Sequence, residues 1–150
     1  MGEVILRKFI ADRGLADKVE VDSTGVSDEE YGNPIDPRAQ RVLRARGYEV
    51  PRHFARKVTP AEAEDTDLLL PMTASHMRRL MRIVPRDHWD AIHMYRSFDP
   101  SLPKPAKGHE DEIDLVDPWY GGPREFEVAI DQIEHVAPYI VDFIEGELAR

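Results

Sequence analysis

The side chains able to do chemistry here are carboxylates, histidines and arginines, because the 150 residues contain no cysteine. They therefore supply no disulfide, thiolate metal site or cysteine nucleophile. The six histidines are scattered, with no H-E-x-x-H pair or other ligand spacing, so no metal centre is expected. Neither G-x-x-x-x-G-K-S/T nor G-x-G-x-x-G occurs, which leaves nucleotide binding without support. Asp117-Pro118-Trp119-Tyr120-Gly121-Gly122 sets a carboxylate beside two aromatic rings; taken alone, its Asp-Pro pair reads as a turn. Arg78, Arg79, Arg82 and Arg86 read as the solvated face of a helix. Residues 38–86 carry more than twice as many basic as acidic side chains, between acidic flanks. The sharper reading of that middle is a positive field that steers an anionic substrate.

Composition bounds the scaffold. A length of 150 residues with 41% apolar content suits one domain with one buried core. The net charge of −9, from 20 basic and 29 acidic side chains, disfavours a nucleic-acid partner. No apolar run approaches the ~20 residues of a membrane span. Glu3, Arg7, Lys8 and Asp12 interrupt the apolar positions at the N-terminus, unlike a signal peptide. The sequence reads as a soluble, cytoplasmic, acidic single domain over 1–150.

Patterning predicts the elements that position these residues. Ile5, Leu6, Phe9 and Ile10 share one helical face, and Gly14 suits the stop. Lys18–Asp22 alternates as a short strand around Val19 and Val21, and 23–35 is loop. A second helix starts with Asp36 as N-cap and Pro37 at its first position, and ends near Gly47. Leu68, Leu69 and Leu70 read as a strand buried on both faces. Thr73 caps a third helix with Met77, Leu80, Met81 and Val84 on one face before Pro85. Residues 91–95 read as a further strand. The stretch 97–121 is a long loop without periodicity, of the kind that is a functional lid or disordered. A last helix runs from about Pro123 toward Leu148, with a kink expected at Pro138. Strands alternating with helices predict a three-layer α/β/α fold with a parallel sheet.

Five motifs then stand in register: Val21-Asp22-Ser23; Gly32-Asn33-Pro34 leading into Asp36-Pro37-Arg38-Ala39; His53-Phe54-Ala55-Arg56; Arg96-Ser97-Phe98-Asp99-Pro100; and Asp117-Pro118-Trp119-Tyr120-Gly121-Gly122. In this order and spacing the chain resembles the low-molecular-weight protein-tyrosine-phosphatase family across essentially its whole length. The last motif looks like that family's Asp-Pro-Tyr-Tyr-Gly-Gly loop, with Trp119 in place of the first tyrosine.

The resemblance implies hydrolysis of phosphotyrosine proteins or small aryl phosphates through a phospho-cysteine, without cofactor or metal. It makes Asp117 the general acid and base, and places Trp119 and Tyr120 at the mouth of the site against the substrate ring. Glu29 stands where the family often carries an aromatic residue on its specificity loop, with Tyr31 two residues on. Ser23 and His53 match positions that support the phosphate loop, and Thr73 stands where an aspartate is usual. Met1 to Lys8 matches the residues just behind the family's Cys-x5-Arg-Ser-Pro loop. The 150 residues are therefore expected to lack the first strand, the nucleophile and the phosphate-binding arginine, and to be inactive alone. An uncovered sheet edge is expected to promote self-association. The alternative is a natural pseudo-phosphatase acting as a binding or regulatory protein.

Overall fold

The computed structural model of the chain describes residues 2–22, 36–50, 58–115 and 123–149. They belong to two compact units, of which the first holds 2–22, 36–50 and 123–149, and the second 58–115. Each has its own apolar core.

The first unit is built from α1 (Gly2–Asp12), α2 (Pro37–Ala45) and α5 (Pro123–Leu148). Both short helices pack against α5. From α1 the buried face is Val4, Ile5, Leu6 and Ile10, and from α2 it is Ala39, Val42 and Leu43. The long helix meets them with Phe126, Ile130, Ile133, Val136, Ile140 and Val141, all buried. This is the apolar stripe that a 3.6-residue period places on one side of a helix. Glycine sets both stops. Gly14 and Gly47 have φ of +72° and +87°, a left-handed conformation that costs other residues a Cβ clash. After α2, the Tyr48 N–H reaches the Leu43 carbonyl and the Gly47 N–H that of Arg44, both at 3.0 Å, which is a Schellman stop. The expected Asp36 cap is present: its carboxylate accepts from the Arg38 N–H at 2.8 Å. Pro138 lies inside α5. Its carbonyl accepts from the Arg13 guanidinium at 3.3 Å.

The second unit holds α3 (Pro60–Asp65), α4 (Ala74–Ile83) and three 3-10 turns, at Arg86–Ala91, Tyr95–Phe98 and Glu110–Ile113. One cluster joins Val58, Ala63, Leu69, Leu80 and Val84, with Trp89 against it. Another joins Ala74, Met94 and Ile113. Leu69 and Ile92 form a parallel bridge. The Leu69 N–H donates to Ala91, the His93 N–H to Leu69 and the Tyr95 N–H to Pro71, at 2.8, 2.9 and 3.0 Å.

The two strands expected around Leu69 and Ile92 are thus paired in parallel, but over one bridge. Only Leu69 of the three leucines is buried; Leu68 and Leu70 are half-buried. Residues 18–22 form no strand. A ladder needs a partner, and among the described residues the Glu20 and Val21 N–H groups have no backbone partner. The Val21 carbonyl takes the Arg7 guanidinium instead. The three-layer sheet is therefore reduced, among the described residues, to the Leu69–Ile92 pair. Nor is 97–115 without structure: two of the 3-10 turns fall on it. Among the described residues no helix is long and apolar enough to cross a membrane.

Candidate active site

Ser23, Glu29, Tyr31, His53, Asp117, Trp119 and Tyr120 all lie outside the described residues. The structure supplies the shoulders from which those segments leave the helices.

The shoulder before Asp117 belongs to the second unit and is closely held. The Asp114 carboxylate accepts from the Ala74 N–H at 2.7 Å, in the first turn of α4. The Arg96 guanidinium donates to the Asp114 carbonyl at 2.9 Å. The next residue, Leu115, donates its N–H to the Met72 carbonyl at 2.9 Å. Ile113 and Leu115 are buried. Thr73 caps α4 as expected, accepting from the His76 N–H at 3.2 Å. Upstream, the buried Asp99 accepts from the Ser101 N–H and hydroxyl at 2.9 and 2.6 Å. Backbone N–H groups at Glu110 and Gly108 hold the Glu110 carboxyl below its usual range. These bonds order residues 97–115, the described part of the stretch 97–121 read from sequence as a long loop.

The shoulders in the first unit are also ordered. Asp36, which closes the 23–35 segment, is held below the usual aspartate range mainly by the Arg38 guanidinium. Arg38 in turn lies 4.8 Å from the centre of the Phe126 ring, a cation–π contact at the start of α5. Asp22, which opens the same segment, lines a concavity of about 480 Å³ together with Arg7, Ile10, Val19 and Val21. Among the described residues no cluster of three or more histidines and carboxylates is placed to hold a metal ion. Arg78, Arg79, Arg82 and Arg86 are exposed, as the solvated-face reading requires.

Arg96 stands in one of the five sequence motifs, whereas Asp114 stands in none of them, and it meets its partner across 40 residues.

Comparison with known proteins bears on what these shoulders carry. The sequence profile of the low molecular weight phosphotyrosine protein phosphatases matches residues 1–149. A low molecular weight protein-tyrosine-phosphatase of Streptomyces coelicolor is 34% identical over 135 residues, covering 89% of this chain and 78% of the relative. The low molecular weight protein-tyrosine phosphatase A of Mycobacterium bovis is 33% identical over all 150 residues, which span 86% of that protein. Among solved structures, a protein tyrosine phosphatase from Entamoeba histolytica superposes with a TM-score of 0.86 at 23% identity, over 97% of this chain and 88% of that one. That likeness places the chain in an α/β fold. A match along nearly every residue, with relatives of the same name a third identical, leaves one family: the chain belongs to the low molecular weight phosphotyrosine protein phosphatases.

Proposed function

We propose that residues 1–150 carry the proton-transfer and ring-binding side of a phosphotyrosine phosphatase that works through a phospho-cysteine. The family match over 1–149 carries the reading; the order of the five sequence motifs places the residues. The two units are read as parts of one phosphatase-like domain. In the reaction, a thiolate attacks phosphorus while the bond to the aryl oxygen breaks. Asp117 gives its proton to the departing phenolate and then, as carboxylate, takes one from the attacking water. The sulfur–phosphorus bond breaks, and inorganic phosphate leaves. Trp119, Tyr120, Glu29 and Tyr31 flank the ring, and Ser23 and His53 support the phosphate loop. The substrate is a phosphotyrosine protein or a small aryl phosphate, handled without metal or cofactor in the cytoplasm.

The 150 residues hold no cysteine, so by themselves they form no phospho-cysteine. The expected outcome is no turnover of p-nitrophenyl phosphate above background by 1–150. Turnover should appear when a strand and Cys-x5-Arg segment stand ahead of Met1. Asp117→Asn in the active form should lower kcat about 100-fold or more, within the range of general-acid contributions. Turnover by the bare chain would place the chemistry elsewhere. The second reading is a natural pseudo-phosphatase acting as a binding or regulatory protein; phosphotyrosine-peptide binding without hydrolysis by the protein isolated from its own cells supports it.

A further inference from the structure

We propose that the exposed arginine stripe of α4 docks an acidic, carboxylate-bearing segment of a protein partner. Ser75, Arg78, Arg79 and Arg82 are all exposed, and helical spacing puts them within one arc of about 100°. No acidic residue stands in α4. The helix dipole favours a cation in the last turn, which accounts for Arg82 but not for Arg78 or Arg79, and the like charges at 78 and 82 repel. Among the described residues none of the three arginines forms an ion pair, whereas Arg7, Arg13, Arg38 and Arg46 each meet a carboxylate. In a chain with 29 acidic side chains to 20 basic, carboxylates are not scarce; this stripe is left open to one from outside.

A fourth guanidinium beyond the helix is ordered in advance. The Trp89 indole N–H donates to the Met81 carbonyl at 2.9 Å, which ties the ring to α4. Arg86 lies 5.2 Å from the centre of that ring, a cation–π contact that reduces the freedom it would lose on binding. At Arg78 the helix already attracts a carboxylate: after the backbone N–H groups of Glu110 and Gly108, Arg78 helps hold the Glu110 carboxyl below its usual range. Chemistry and spacing select the partner. The planar guanidinium fork matches a carboxylate through two bonds. Arg78 and Arg82 are about 6 Å apart along the axis of α4, close to the ~6.6 Å between same-face side chains of an extended peptide. A nucleic-acid duplex carries one charge per ~1.7 Å and meets the repulsion of a chain with net charge −9, which a short acidic segment meets far less. A membrane surface is disfavoured because the apolar face of α4 is already spent. Leu80 shares a core with Ala63 and Val84, and Met77 packs against Met94 and Ile113. Helix α2 also exposes arginines, at 41 and 44, but Glu127, Asp131 and Glu134 of α5 gather around Arg46 at its end.

Fluorescence anisotropy of a labelled Glu-Ser-Glu-Ser-Glu-Ser-Glu peptide against the 150-residue chain tests this. Binding should saturate, weaken as salt rises, and vanish when glutamine replaces every glutamate of the peptide. Arg79→Gln together with Arg82→Gln should weaken it about 10-fold or more, since two charge-assisted pairs are lost. Arg41→Gln together with Arg44→Gln removes the same charge from α2 and should change it less than about 2-fold, as expected of screened charges away from the site. All four side chains are exposed, so the variants should melt at the temperature of the wild type. Equal losses from the two pairs would reduce the binding to net charge and overturn the proposal. No peptide binding overturns it too, as does tighter binding to a DNA duplex or to phosphatidylserine vesicles than to the peptide. The readout involves no hydrolysis, so it stands or falls apart from the phosphatase reading.

Discussion

Arg46 closes α2 at its C-terminal cap, where unpaired carbonyls favour a cation. Its guanidinium meets Glu127, Asp131 and Glu134 of α5, the Asp131 contact at 2.8 Å. Those carboxylates recur at i, i+4 and i+7, so one face of α5 presents all three. Each is partly exposed, and a single such pair contributes at most about 1 kcal/mol. Tyr48 gives the cluster its buried member. It is 6% exposed, and its hydroxyl donates to Glu134 at 2.9 Å. Burial first, and then Glu134, pushes the phenol above its ordinary value of 10.0. Tyr48→Phe should cost about 1.5–3 kcal/mol, the worth of a hydrogen bond to a charged acceptor. The sign of the pH effect follows from the raised value. The folded chain holds the phenol proton more tightly than the unfolded one, so this contribution is complete below pH 10 and declines above it. Denaturant midpoints at pH 8 and pH 11 check this: the gap between wild type and Tyr48→Phe should shrink at pH 11. An undiminished gap would remove Tyr48 from the account of alkaline stability.

At the scale of elements, local chemistry decides where helices begin. α3 has only six residues, too few to be stable alone. Its start is a full capping box: the Glu62 N–H donates to the Thr59 hydroxyl at 3.2 Å, and the Thr59 N–H to the Glu62 carboxylate at 3.2 Å. Thr59→Ala should cost about 1 kcal/mol and raise amide exchange across α3 while leaving α4 protected, as exchange mass spectrometry would read. Loss of protection in α4 as well would mean that α3 and α4 open as one body. The capping pattern Thr59-Pro60-Ala61-Glu62 marks this start, but six residues are too few to show an apolar period. The starts at Asp36-Pro37 and Thr73 and the stops at Gly14 and Gly47 were readable for the same reason: each is decided within a few residues. The fate of the strand expected at 18–22 was not. Val19 and Val21 alternate as a strand should, yet pairing depends on a partner elsewhere in the chain, and the patterning of 18–22 does not contain it. The anchor of Asp114 on Ala74 is non-local too, so the sequence shows the order of the site's motifs and is silent on what holds them.

For the molecule as a whole, the concavity beside α1 opposes two forces. Ile10 is buried beneath it, while Val19 and Val21 stay half-buried. Next to them, among the described residues, the N–H groups of Glu20 and Val21 lack backbone partners. Where donors of an apolar-flanked segment lack backbone partners, an added strand can supply them, and a second copy of the same segment is always present at the same concentration. Against this stands the net charge of −9, which repels like copies over the Debye length of ~30 Å at 0.01 M salt but only ~10 Å at 0.1 M. The balance should tip with ionic strength. Sedimentation velocity of 1–150 should show a species near its 17.2 kDa monomer at low salt and dilute concentration, and larger species as either rises. Val21→Lys places a charge on the edge, the usual device against strand addition, and should keep the chain monomeric at high salt. Association that persists in Val21→Lys would locate the contact on another face. A salt-independent monomer with one sharp melt would mean that residues of the chain itself already cover the 18–22 edge.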